Sequence, residues 1–76
     1  ELITNVSIYP NPTSGVLHIQ SELPIAFATV YNSIGKKIQV RLIDNKLDLS
    51  NLSNGVYIVQ LSINSHIITK RIILSK

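Results

Sequence analysis

Asn, Asp, Ser and Gly punctuate this chain at intervals of roughly 8–12 residues, and β-branched residues fill the stretches between them. That spacing leaves no room for a helix of useful length, and it is the pattern of short antiparallel strands. Val6 and Ile8 alternate with Ser7 and Tyr9 before Pro10–Gly15 interrupts. Within that interruption proline fixes φ, Asn tolerates the left-handed region, and Gly15 is expected to supply a positive φ. Leu17 and Ile19 then share a face opposite His18 and Gln20. Leu23-Pro24 is the next break. Ala26, Ala28 and Val30 are expected on one face of the following strand, with Phe27, Thr29 and Tyr31 on the other.

After the turn Asn32-Ser33-Ile34-Gly35, the run Ile38, Val40 and Leu42 alternates with Gln39 and Arg41 as one half-buried strand. Asp44-Asn45 reads as a two-residue hairpin turn. Leu47 and Leu49 follow, with Lys46 and Asp48 pointing outward. A loop over Leu52–Gly55 leads to the longest strand, Val56–Ile63, which aligns Tyr57, Val59, Leu61 and Ile63. Asn64-Ser65 turns the chain into a last strand, about Ile67 to Leu74. Its inward face is ambiguous, because Ile67, Ile68, Ile72, Ile73 and Leu74 occupy both parities. The expectation is about seven short strands in two antiparallel sheets packed face to face, with a closed small barrel as the alternative.

At 76 residues the chain is a single domain, residues 1–76. A chain of this size buries only about 60–65% of its unfolded surface, and with no cysteine it has neither a disulfide nor a thiolate metal site. Stability must come from packed Ile, Leu and Val. The net charge of +3, from 7 basic and 4 acidic residues, is mild. The basic residues are scattered apart from Lys36-Lys37 and Lys70-Arg71, which does not suggest nucleic-acid binding. No apolar run approaches the roughly 20 residues of a membrane span, so direct membrane insertion is not expected. The chain opens on Glu1 without the pattern of a secretory leader, and it reads as a piece of a larger protein.

No catalytic, metal or cofactor constellation is expected. Nucleophilic catalysis needs a nucleophile, a base and a group that orients the base, yet His18 and His66 fall at outward or turn positions. Glu1 and Glu22 are too isolated to form an acid/base pair. Asp44, Asn45 and Asp48 are too few for a calcium loop, and the one glycine of Pro12-Thr13-Ser14-Gly15 leads into a strand, so no helix N-terminus can take a phosphate. Tyr31 and Tyr57 read as packing groups. Asn5-Val6-Ser7 and Asn51-Leu52-Ser53 match the glycosylation triplet, which carries little weight in a bacterial host. The feature left over is the terminal ITKRIILSK. Its strand could offer an edge for addition to a partner's sheet or for self-association. It could equally just close the sandwich, with lysines guarding the edge.

Three segments taken together, VSIYPNPTSG, VYNSIGKKI and LSNLSNGVYIVQL followed by KRIILSK, resemble the type A C-terminal sorting domain of the type IX secretion system of Bacteroidetes-type bacteria. The likeness spans essentially the whole chain and lies in the order and spacing of the segments. It implies an Ig-like β-sandwich of seven strands and a non-catalytic sorting signal C-terminal to a cargo protein. The implied partners are the type IX translocon, a shuttle protein and a sortase that removes the domain. The implied route runs through the periplasm to the cell surface or the medium. Pro10, Asn11, Pro12, Gly15, Gly35, Gly55, Val56 and Tyr57 match the family's structural motifs. Lys70, Arg71, Ile72, Ile73, Leu74, Ser75 and Lys76 match the portion read during export. Asn32 stands where Asp is frequent in the family, and Ser53 where Pro or a small residue is frequent. The competing reading is an Ig-like accessory module, binding or spacing, of a secreted enzyme or adhesin.

Overall fold

The structure is a computed structural model that describes residues 6–76. The Asn5 triplet and the expectations attached to Glu1 lie outside the described residues. Eight strands follow in chain order: β1 (Val6–Tyr9), β2 (Val16–Ser21), β3 (Ile25–Tyr31), β4 (Lys37–Ile38), β5 (Leu42–Ile43), β6 (Lys46–Asp48), β7 (Gly55–Ile63) and β8 (His66–Leu74). They form two four-stranded antiparallel sheets, ordered β1-β2-β6-β5 and β4-β3-β7-β8. Leu17, Ile19 and Leu47 from the first sheet, with Leu49 just beyond β6, meet Val30, Tyr57, Val59, Leu61, Ile63, Ile72 and Leu74 from the second in one buried cluster. The all-β sandwich expected from the alternation is therefore the architecture observed.

The strand count rises from seven to eight because the run from Ile38 to Leu42 is not one strand. It pairs with β3 at its start and with β6 at its end, and Gln39–Arg41 carries the chain from one sheet to the other between them. Alternation continues through this crossing, since Ile38, Val40 and Leu42 all pack against the core. The apolar pattern therefore could not reveal the change of sheet.

Local chemistry explains the hairpins. Asp44 and Asn45 both have positive φ, at 52° and 59°, and Asn64 and Ser65 repeat this at 51° and 68°. Two consecutive left-handed residues give the twist that matches flanking strands. A bulge in β3 shifts the register between Ile25 and Phe27, so that Ile25 faces Ile63 and Phe27 faces Ser62. The bulge turns Ala26 out to solvent, which corrects the expectation that it shares a face with Ala28 and Val30. The ambiguous parity of β8 is resolved as well. Ile72 and Leu74 are buried, Ile68 packs against the core, and Ile67 is exposed.

Candidate functional site

β8 lies at the edge of its sheet, paired along its whole length with β7 from Gly55↔Leu74 to Ile63↔His66. Its other side would be an open ladder but for the segment between β1 and β2. Asn11 Nδ2 donates to the Arg71 carbonyl at 2.9 Å, and the Ile73 amide donates to Asn11 Oδ1 at 3.0 Å. The Thr13 amide then donates to the Ile73 carbonyl, and the Ser75 amide donates to the Thr13 carbonyl, both at 2.8 Å. The side-chain amide of Asn11 acts as a surrogate peptide group, and Thr13 forms a parallel bridge with Leu74. Residues 11–13 thus extend the sheet by a short fifth edge over the C-terminal half of β8. An unpaired strand edge is an aggregation hazard, and here the first turn of the chain covers it.

Thr13 is the hinge of this junction. It is 1% exposed, and burial of a hydroxyl is costly unless it is hydrogen-bonded. Its Oγ1 donates to the Val16 carbonyl at 2.9 Å and accepts from the Gly15 amide at 3.1 Å. Sequence reading singled out its neighbours and passed over Thr13. Nothing local links position 13 to positions 73–75, some sixty residues along the chain. Gly15 also differs from expectation, because its φ is not positive; the positive-φ glycines are Gly35 and Gly55. Its requirement is space: a Cβ there would lie 3.2 Å from Ser50 Cβ. The same close approach lets the Leu49 amide donate to the Gly15 carbonyl at 2.7 Å, which ties the turn to the loop after β6.

The far end of the chain is held from a second side. The Lys76 amide donates to Asn54 Oδ1 at 3.0 Å, and Lys76 Nζ donates to the Ser50 carbonyl at 3.2 Å. Ser50 in turn donates through its amide and hydroxyl to Asp48 Oδ1, at 2.9 and 2.6 Å. These bonds, the hydroxyl's first, hold the Asp48 carboxyl below its ordinary value of 3.8. Of the terminal residues, Arg71, Ser75 and Lys76 are exposed, Lys70 and Ile73 are half-buried, and Ile72 and Leu74 belong to the core.

The other motif residues build two turns. Asn32 Oδ1 accepts from the amides of Ile34 and Lys36 at 3.1 and 2.9 Å, and Gly35 supplies φ of 85°. An oxygen acceptor is all the turn asks of position 32, and Asp would serve it equally. Gly55 opens β7 at φ of 155°. Tyr57 is buried, and its hydroxyl donates to the Ser53 carbonyl at 2.6 Å. The contact at Ser53 is to backbone, so the side chain there is unconstrained by it. Val56 faces outward beside Gly55, half-buried.

Sites of conventional chemistry are easily placed. His18 stacks on Tyr9 across the first hairpin, with ring centroids 5.5 Å apart, and His66 is exposed at the start of β8. Among the described residues no three His, Cys, Asp or Glu side chains are grouped to hold a metal ion. The described residues contain no helix long and apolar enough to cross a membrane.

The arrangement defines a class: a small β-sandwich whose final strand is pinned by the turn between its first two strands, so that residues 11–13 and the end of β8 meet at one surface. The sequence model of the secretion system C-terminal sorting domain family matches residues 7–75. The chain belongs to that family, the C-terminal sorting domains of type IX secretion, as the three ordered segments indicated. No curated protein matches the chain.

Proposed function

We propose that the chain is a non-catalytic sorting signal that directs an N-terminally attached cargo through the type IX translocon to the cell surface, where a sortase removes it. Within it, Lys70–Lys76 is the element read by the export machinery, and Pro10–Gly15, Gly35 and Gly55–Tyr57 are its scaffold. The observation that carries the reading is the four-bond junction between Asn11–Thr13 and Arg71–Ser75. It supports recognition of a folded surface, because it holds the terminal segment in one conformation and leaves Arg71, Ser75 and Lys76 open to a partner.

The test fuses residues 1–76 behind an exported reporter in a bacterium with type IX secretion and measures reporter at the surface. Arg71→Ala and Lys76→Ala alter exposed side chains and should leave the fold intact by circular dichroism. Together they should lower surface delivery severalfold; unchanged delivery would sink the assignment to the terminal segment. Deleting Ile72–Lys76 is less informative alone, because it removes two core side chains. Mass spectrometry of the delivered product addresses the sortase. Loss of the 76 residues is expected, whereas their retention on a delivered reporter would favour an accessory binding or spacer module.

A further inference from the structure

The outer face of the β4-β3-β7-β8 sheet differs in chemistry from that of the other sheet. On that face its strands present Lys37 and Arg71 and no Asp or Glu, since Lys70 and His66 oppose the core residues Val59 and Ile63 and so belong to the inner side, whereas Asp48 lies on β6 of the other sheet. The register places one row across all four strands. Lys37 is opposite Tyr31, Tyr31 opposite Ile58, and Ile58 opposite Arg71. Directly opposed residues project to the same side of a sheet. Their chain neighbours Ile38, Val30, Tyr57 and Ile72 all pack in the core, so the row faces outward. Lys37 and Arg71 are exposed at its ends, and Tyr31 and Ile58 are half-buried between them. An open hollow of about 480 Å³ lies on this face, lined by Tyr31, Val56, Ile58 and Gln60 and bounded by Ser33 and Gly35.

Strands spaced about 4.8 Å apart put the backbone positions of the two cationic residues roughly 14 Å from each other. An extended peptide rises about 3.3 Å per residue and shows positions i, i+2 and i+4 on one side, so i to i+4 covers about 13 Å. We infer that this face docks an extended acidic segment of a partner protein laid across the strands, with carboxylates at i and i+4 on Lys37 and Arg71 and an apolar side chain at i+2 in the hollow over Tyr31 and Ile58. Charge complementarity selects the partner, since the face has cations at both ends and no carboxylate on its strands. A second copy of the chain is a poor occupant. Its own acids at that spacing, Asp44 and Asp48, enclose Lys46 and are tied into a hairpin. The inference goes beyond the sorting role and does not depend on it.

The test titrates the 76-residue chain into a fluorescein-labelled peptide, SETLTES, and follows polarisation at low salt. Saturable binding is expected, weakened about tenfold by Lys37→Glu or by Arg71→Glu, and weakened by raising salt. The peptide SETTLES, which moves its Leu to the opposite side, should bind several-fold less tightly. Lys46→Glu on the other sheet should bind as the unaltered chain does. Should a charge reversal disturb the fold, Lys37→Gln and Arg71→Gln repeat the comparison and should show a smaller loss. Equal affinity for the two peptides, or variants that bind as the original, would overturn the inference. So would dextran sulfate binding to this face where the peptide does not, which would point to an anionic polysaccharide.

Discussion

Replacing Asn11 with Ala cuts the junction at its outer end without touching the core. The change removes the 2.9 Å bond to the Arg71 carbonyl and the 3.0 Å bond from the Ile73 amide. A typical intramolecular hydrogen bond contributes about 0.5–1.5 kcal/mol net. Asn11 is exposed, so water can reach the groups left behind and each bond belongs near the lower end of that range. The expected loss is about 1–1.5 kcal/mol. For a small domain a urea m-value near 1 kcal/mol/M turns this into a midpoint lowered by about 1 M. Urea unfolding followed by far-ultraviolet circular dichroism measures that shift. Amide exchange locates it, because the Ile73 amide loses its acceptor while Ser75 keeps Thr13. Protection should fall first at Ile73, and at Ser75 only as far as global stability falls. A midpoint unchanged within about 0.3 M, with Ile73 as protected as before, would refute the idea that Asn11 serves as a surrogate peptide group.

Gly15→Val should destabilise by about 1–3 kcal/mol through overpacking against Ser50, and Gly15→Ala by less; thermal melts that order the two the other way would contradict a steric origin. Ser65 holds a left-handed conformation at φ 68°, so Ser65→Gly should stabilise by about 0.5–1 kcal/mol and raise the melting temperature by several degrees, whereas a fall would show strain was not stored there. The Asp48 carboxyl is held below its ordinary value by Ser50. Its contribution is therefore complete above about pH 4 and disappears as pH falls through the depressed value. Asp48→Asn should flatten the stability profile in that acidic window, and an unchanged slope there would deny the linkage.

Features set by near neighbours were legible in the sequence. Leu17, Leu47 and the odd-numbered residues of Val56–Ile63 announced the core through alternation, and Asp44-Asn45 announced a hairpin through its tolerance of positive φ. Features set by distant contacts were not. Gly15 looked like a conformational glycine, yet its constraint comes from Ser50 on another loop. Ala26 left its expected face because a bulge adds a residue against Ile63 and Ser62, and alternation has no sign for that. Thr13 has local hydroxyl partners in Gly15 and Val16, but its backbone bonds to Ile73 and Ser75 reach a strand at the other end of the chain, and no local pattern signals those.

The energetics of β8 bear on how such a signal is read. Extracting Ile72–Lys76 as a linear peptide would expose two fully buried aliphatic side chains, at about 1.5–3 kcal/mol each. It would also break the Asn11–Thr13 junction and the ladder to Gly55–Tyr57. Those losses rival the whole stability of a domain this size, about 4–11 kcal/mol at ordinary values per residue. Releasing the strand is then nearly equivalent to unfolding the sandwich. On the proposed reading, a partner that meets the folded chain would contact Arg71, Ser75 and Lys76 together with the loop that pins them. On that argument Asn11→Ala should impair delivery of a reporter beyond what its modest loss of stability predicts. Matching it against a core variant of equal stability, such as Ile19→Val, separates the two effects. Equal delivery by both would mean that the first motif serves only to stabilise the domain.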